Sequence, residues 1–71
     1  MKDTLKSLIR DVLNIPPSKL NPNVKAEDIP KAVEGTLRFL LERGEISKEE
    51  AKTLLAEALQ YEERVLKERG F

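Results

Sequence analysis

Glu42-Arg43-Gly44-Glu45-Ile46-Ser47-Lys48-Glu49-Glu50 reads as the turn of a helical hairpin. Gly44 is the residue type that adopts a left-handed backbone just past a helix C-terminus. Ser47 and Glu50 have the Ser-x-x-Glu spacing of a capping box, in which each side chain satisfies a backbone N–H of the other residue. Ile46 and Ala51 stand where a hydrophobic staple belongs. One helix therefore ends near Arg43 and the next begins at Lys48.

Upstream of the turn, the spacing predicts a helix over Ile29–Arg43, with Asp28 as N-cap and Pro30 in the first turn, where a missing N–H costs nothing. Its apolar residues, from Phe39 through Ile29 and Leu40 to Leu41, cover an arc of ~200° at 100° per residue. An arc that wide faces two neighbours. Downstream, a helix over Lys48–Arg69 ends at Gly70. At ~1.5 Å per residue it is ~33 Å long, against ~22 Å for the helix before it. Nearer the N-terminus, Leu5, Leu8, Ile9, Val12 and Leu13 recur at helical spacing, so Thr4–Asn14 forms a first helix, with Asp3 or Thr4 as N-cap. Pro16 and Pro17 forbid its continuation. The connection over 15–28 is rich in Pro and Asn, and Pro17–Leu20 has room for one helical turn. Ile15, Leu20 and Val24 are spaced through it, which suggests a segment lying across the core.

The expected fold is all-α: a three-helix bundle in which helices 2 and 3 form an antiparallel hairpin and a long loop joins helices 1 and 2, all in one domain. The expected core is Leu5, Leu8, Ile9, Val12, Leu13, Val33, Leu37, Leu40, Leu41, Leu54, Leu55, Ala58 and Leu59. At 71 residues, with no cysteine to staple it, such a domain sits near the lower limit of self-sufficiency, which makes oligomerisation or a larger partner physically attractive.

Composition excludes more than it identifies. Thirteen basic residues balance thirteen acidic ones, and histidine and cysteine are both absent. The usual neutral-pH base and the commonest metal ligands are therefore missing. Glu49-Glu50 and Glu62-Glu63 are neighbours on a helix, pointing ~100° apart, and general acid–base work needs convergent groups in shelter. We expect no catalytic residue, no cofactor, no metal and no small-molecule substrate. The last helix would be the reader in a helix-turn-helix protein, but it carries Glu49, Glu50, Glu57, Glu62, Glu63 and Glu68 against Lys48, Lys52, Arg64, Lys67 and Arg69. Phosphates repel such a helix. No apolar run reaches the ~20 residues that span a bilayer, and the first residues lack the apolar stretch of a signal peptide, so the plain expectation is a cytoplasmic protein.

Leu8-Ile9-Arg10-Asp11-Val12-Leu13-Asn14-Ile15-Pro16-Pro17-Ser18-Lys19-Leu20-Asn21-Pro22-Asn23, followed by Glu27-Asp28-Ile29, resembles the first helix and long loop of acyl carrier proteins over about a third of the chain. The resemblance implies a helix followed by a structured loop. It does not carry over the carrier function, because that family holds its prosthetic arm on a serine of an Asp-Ser-Leu motif at the start of the next helix. This chain reads Ile29-Pro30-Lys31-Ala32-Val33 there.

What remains is a small non-catalytic protein–protein interaction module, an accessory subunit or adaptor that binds another protein or itself. The alternative is a small three-helix nucleic-acid-associated or regulatory protein. The candidate partner-binding residues are Tyr61, Glu62, Val65, Leu66 and Phe71, where helix 3 outreaches helix 2. Folding the hairpin about Gly44–Ile46 brings Glu62 beside Ile29, where Lys25 or Lys31 can reach it; otherwise it is a buried charge that sets register with a partner. Ile15, Leu20 and Val24 can also fold over this patch and complete the core. Both readings of the patch stay open at this point.

Overall fold

The computed structural model describes residues 4–71. It is all-helical among the described residues: α1 (Leu5–Leu13), α2 (Asp28–Glu42) and α3 (Lys48–Glu68), with a short 3-10 turn at Pro17–Lys19. The Thr4 side chain caps α1 by accepting the Ser7 N–H at 3.1 Å. Asp3, the other candidate cap, lies outside the described residues.

The hairpin turn forms as its residues demand. Gly44 adopts φ 70°, and the bonds Gly44 N–H to Leu41 O (3.0 Å) and Glu45 N–H to Leu40 O (2.9 Å) close the end of α2. Ser47 Oγ accepts the Glu50 N–H at 3.0 Å, while Glu50 Oε1 accepts the Ser47 N–H at 3.4 Å. The same left-handed closure recurs at Gly70, φ 89°, where the Phe71 N–H reaches Leu66 O at 2.9 Å.

The start of α2 differs from expectation. Asp28 is its first residue, Glu27 stands in the cap position, and no side chain caps it. None is required. The chain enters already turning, so the Asp28 and Ile29 amides find Lys25 O (3.0 Å) and Ala26 O (3.2 Å), and Pro30 has no N–H to satisfy.

Helices α2 and α3 pack closely. Ile29, Val33, Leu37 and Leu40 meet Ala51, Leu54, Ala58, Tyr61 and Val65, and Ile46, Ala26 and Ile9 complete the buried set. Full burial of a side chain such as Leu37 or Leu40 is favourable by about 1.5–3 kcal/mol. Helix α1 is tied to α3 near both of its ends. Lys6 Nζ bonds Glu50 Oε2 at 2.8 Å near its start, and just past its end Ile15 O accepts the Tyr61 hydroxyl at 2.8 Å.

Four expected core residues are corrected. Leu5, Leu8, Val12 and Leu59 are 40%, 46%, 39% and 48% exposed, and Leu13, Leu41 and Leu55 are only partly buried. The two ties to α3 rotate α1 so that Ile9 and Leu13 face inward, as does the Lys6 stem. Its apolar stripe is ~140° wide, so the Leu5–Leu8–Val12 flank is turned out. Leu59 lies on the α3 flank remote from α1. Leu40→Ala is expected to cost about 2–5 kcal/mol, and Leu59→Ala about 0.5 kcal/mol or less. Urea unfolding followed by circular dichroism measures both, and equal losses would contradict this placement of the core.

Candidate functional site

The far end of α3 is not a free surface. Tyr61 and Val65, read from the sequence either as partner contacts or as core covered by the 15–28 loop, are 2% and 0% exposed. They are covered from the side by the connection between α1 and α2. The 3-10 turn packs on α3, Leu20 and Val24 lie against the core, and Arg69 donates to Asn21 O at 3.2 Å. Of the expected partner-binding residues, Glu62 and Leu66 are half-buried and Phe71 is exposed. Among the described residues no ion pair joins Glu62 to Lys25 or Lys31.

Tyr61 is a structural tyrosine. Its hydroxyl donates to Ile15 O, and the Arg64 guanidinium lies 5.9 Å from its ring centroid. Burial raises its pKa above the ordinary 10.0, with Arg64 and Arg69 pulling it back down.

A groove of about 610 Å³ separates α1 from α3, with Arg10, Asn14, Glu50, Thr53, Glu57 and Arg64 among its walls. Its carboxylates are poor candidates for acid–base work. Glu50 is committed to the cap and to Lys6, whose ammonium, with the Ser47 N–H, holds its carboxyl below the usual value. No group of three or more carboxylates among the described residues is set to hold a metal ion, and no helix among them is long and apolar enough to cross a membrane.

The second groove, about 430 Å³, runs between α1 and α2 and is apolar. Leu5, Leu8 and Val12 form one wall, Ala32 and Thr36 the other, and Val24 with Asp28 closes one end. Thr36 Oγ1 donates to Ala32 O at 3.0 Å, so the one hydroxyl in the α2 wall is already satisfied within its own helix. Asp28 is the sole charged lining residue. One turn beyond Thr36, on the same flank of α2, Phe39 is about half-exposed under the Arg43 guanidinium, 5.3 Å from the ring centroid. The apolar residues of α1 were legible as a stripe. That they would form an open wall was not, because spacing does not say which flank of a stripe is used.

Set against protein-family models, curated proteins and solved structures, the chain matches none of them.

The raised Tyr61 pKa has a direction in stability. The fold holds that proton more tightly than the unfolded chain does, so the contribution is complete below about pH 10 and declines as pH rises through the raised value. Tyr61→Phe should remove this alkaline decline. At neutral pH it should cost about 1–2 kcal/mol, because the Ile15 carbonyl loses its donor. Thermal melts of both proteins from pH 7 to 11 provide the test, and parallel pH profiles would refute it.

Proposed function

We propose that this chain is a small non-catalytic protein–protein interaction module, an accessory subunit or adaptor in a cytoplasmic assembly. The observation that carries this reading is the apolar α1–α2 groove, whose Leu5, Leu8 and Val12 wall the folded chain leaves about two-fifths exposed. Covering what remains of those three side chains is favourable by about 2–4 kcal/mol, a gain open to a partner that lays an apolar surface along the groove. The burial of Tyr61 and Val65 moves the principal contact from the end of α3 to this groove. Glu62, Leu66 and Phe71 keep surface and form a smaller second contact.

The same packing supports a three-helix bundle, with α1 laid across the hairpin and touching both of its helices. The nucleic-acid alternative has weaker support, since the first turn of α3 carries Glu49 and Glu50 and the helix holds more acidic than basic residues.

The test compares wild type with a Leu8→Ser/Val12→Ser double variant. Both sites are exposed, so the variant is expected to keep its helical circular dichroism. It should lose, by at least tenfold, a partner that wild type retains in affinity capture from the source cells. An identical set of retained proteins for the two would sink the reading, and salt-sensitive retention on DNA or RNA would promote the alternative.

A further inference from the structure

We propose that residues 4–24, α1 together with the connection as far as Val24, form an arm that opens from the hairpin as one unit. Its closure covers one apolar surface and builds another.

The backbone supplies the first argument. Among the described residues, no backbone–backbone hydrogen bond joins 4–24 to 25–71. The amides of Lys19, Leu20 and Val24 turn back to Pro16, Pro17 and Asn21, inside the arm. Those of Asp28 and Ile29 turn back to Lys25 and Ala26, on the hairpin side. The chain can therefore pivot between Val24 and Lys25 with all of these bonds intact. Three side-chain hydrogen bonds span the division among the described residues: Lys6 to Glu50, Tyr61 to Ile15, and Arg69 to Asn21.

The division of burial supplies the second. Of the twelve buried apolar residues, Ile9 alone lies in the arm, and Leu13, Leu20 and Val24 are only partly buried. The hairpin holds the remainder of the core and closes its own turn through Gly44 and the Ser47–Glu50 box. A segment with little buried apolar surface, and few bonds across its boundary, opens at a lower free energy than the whole molecule. Once released, the nine residues of α1 are too few to hold a helix in water.

Opening exchanges one surface for the other. The Leu5–Leu8–Val12 wall belongs to the arm, so the α1–α2 groove exists only while the arm is closed. Tyr61 and Val65 are bare only while it is open. A molecule seated in the groove holds the arm down, one seated on Tyr61 and Val65 holds it up, and each excludes the other.

The chain has no cysteine, so one introduced thiol reports its own exposure. Val65→Cys lies under the arm and Ala58→Cys lies between α2 and α3, both at positions 0% exposed. With an aromatic disulfide reagent in excess, Val65→Cys should react at least about tenfold faster than Ala58→Cys. Its rate should also rise less steeply with urea, because opening exposes less surface than unfolding does. Leu55→Ala, one turn before Leu59 on the flank remote from α1, weakens the hairpin and should leave the Val65→Cys rate within about twofold. In the wild type, which carries no risk of misfolding from a new thiol, the amides of residues 10–14 should exchange hydrogen at least about tenfold faster than those of residues 37–41. Equal rates with equal urea dependence, at the thiols or at the amides, would overturn the arm. So would a Leu55→Ala acceleration at Val65→Cys in step with the loss of global stability. None of these readouts needs a partner, so the arm fails or holds independently of the interaction module.

Discussion

A 21-residue helix lying against a 15-residue one extends beyond it by 21 − 15 = 6 residues, or ~9 Å of apolar surface with no opposite number. The rest of the molecule accommodates that mismatch. The chain between α1 and α2 is carried along α3, from Ile15 beside Tyr61 to Asn21 beside Arg69, and covers the surface that α2 does not reach. Its prolines and asparagines suit an extended path with local turns, one of them an Asx turn in which Asn21 Oδ1 accepts the Asn23 N–H at 2.9 Å. The Tyr61 ring fills the space beneath, and its hydroxyl satisfies a backbone carbonyl that would otherwise lose water without compensation. With its C-terminal end drawn to α3, α1 presents one flank of its stripe to the core and leaves the other beside α2. The open groove is thus a result of how the longest helix is covered.

The other end of the hairpin is governed by a single carboxylate. Glu50 accepts the Ser47 N–H through one oxygen and the Lys6 ammonium through the other. It links the start of α3 to the start of α1 across 44 residues of sequence. Lys6 lowers the Glu50 pKa, so this link is complete above the ordinary carboxylate value of 4.5 and weakens as pH falls through the lowered one. Both groups are well over a quarter exposed, and the pair is worth little in energy compared with the Leu37–Leu40–Leu54 core. It nonetheless helps to set how α1 is rotated.

Local chemistry was legible in the sequence. Pro16, Gly44, Gly70 and the Ser47–Glu50 box locate helix ends to within a residue or two, because each solves a problem confined to its own turn. The inner faces of α2 and α3 were also legible where apolar residues recur at helical spacing, as at Val33, Leu37, Leu54 and Ala58. What was hidden depends on distant partners. The roles of Leu5, Leu8 and Val12 follow from the rotation of α1, which depends on the distant partners Glu50 and Tyr61 and not on the spacing within α1. The burial of Tyr61 and Val65 was one of two readings, and a hydrogen bond 46 residues long in sequence accompanies the outcome. The start of α2 was read one residue late, because two backbone turns, Asp28 N–H to Lys25 O and Ile29 N–H to Ala26 O, do the work expected of the Asp28 side chain.

Covering the end of α3 with a segment from so far upstream also has a consequence in time. The α2–α3 hairpin closes over a short turn and pairs residues close in sequence, whereas the Ile15–Tyr61 and Asn21–Arg69 contacts close loops of more than forty residues, at an entropic cost that grows with the logarithm of loop length. The hairpin can therefore assemble early, and the cover arrives last. Until it does, a nascent molecule carries Tyr61 and Val65 bare.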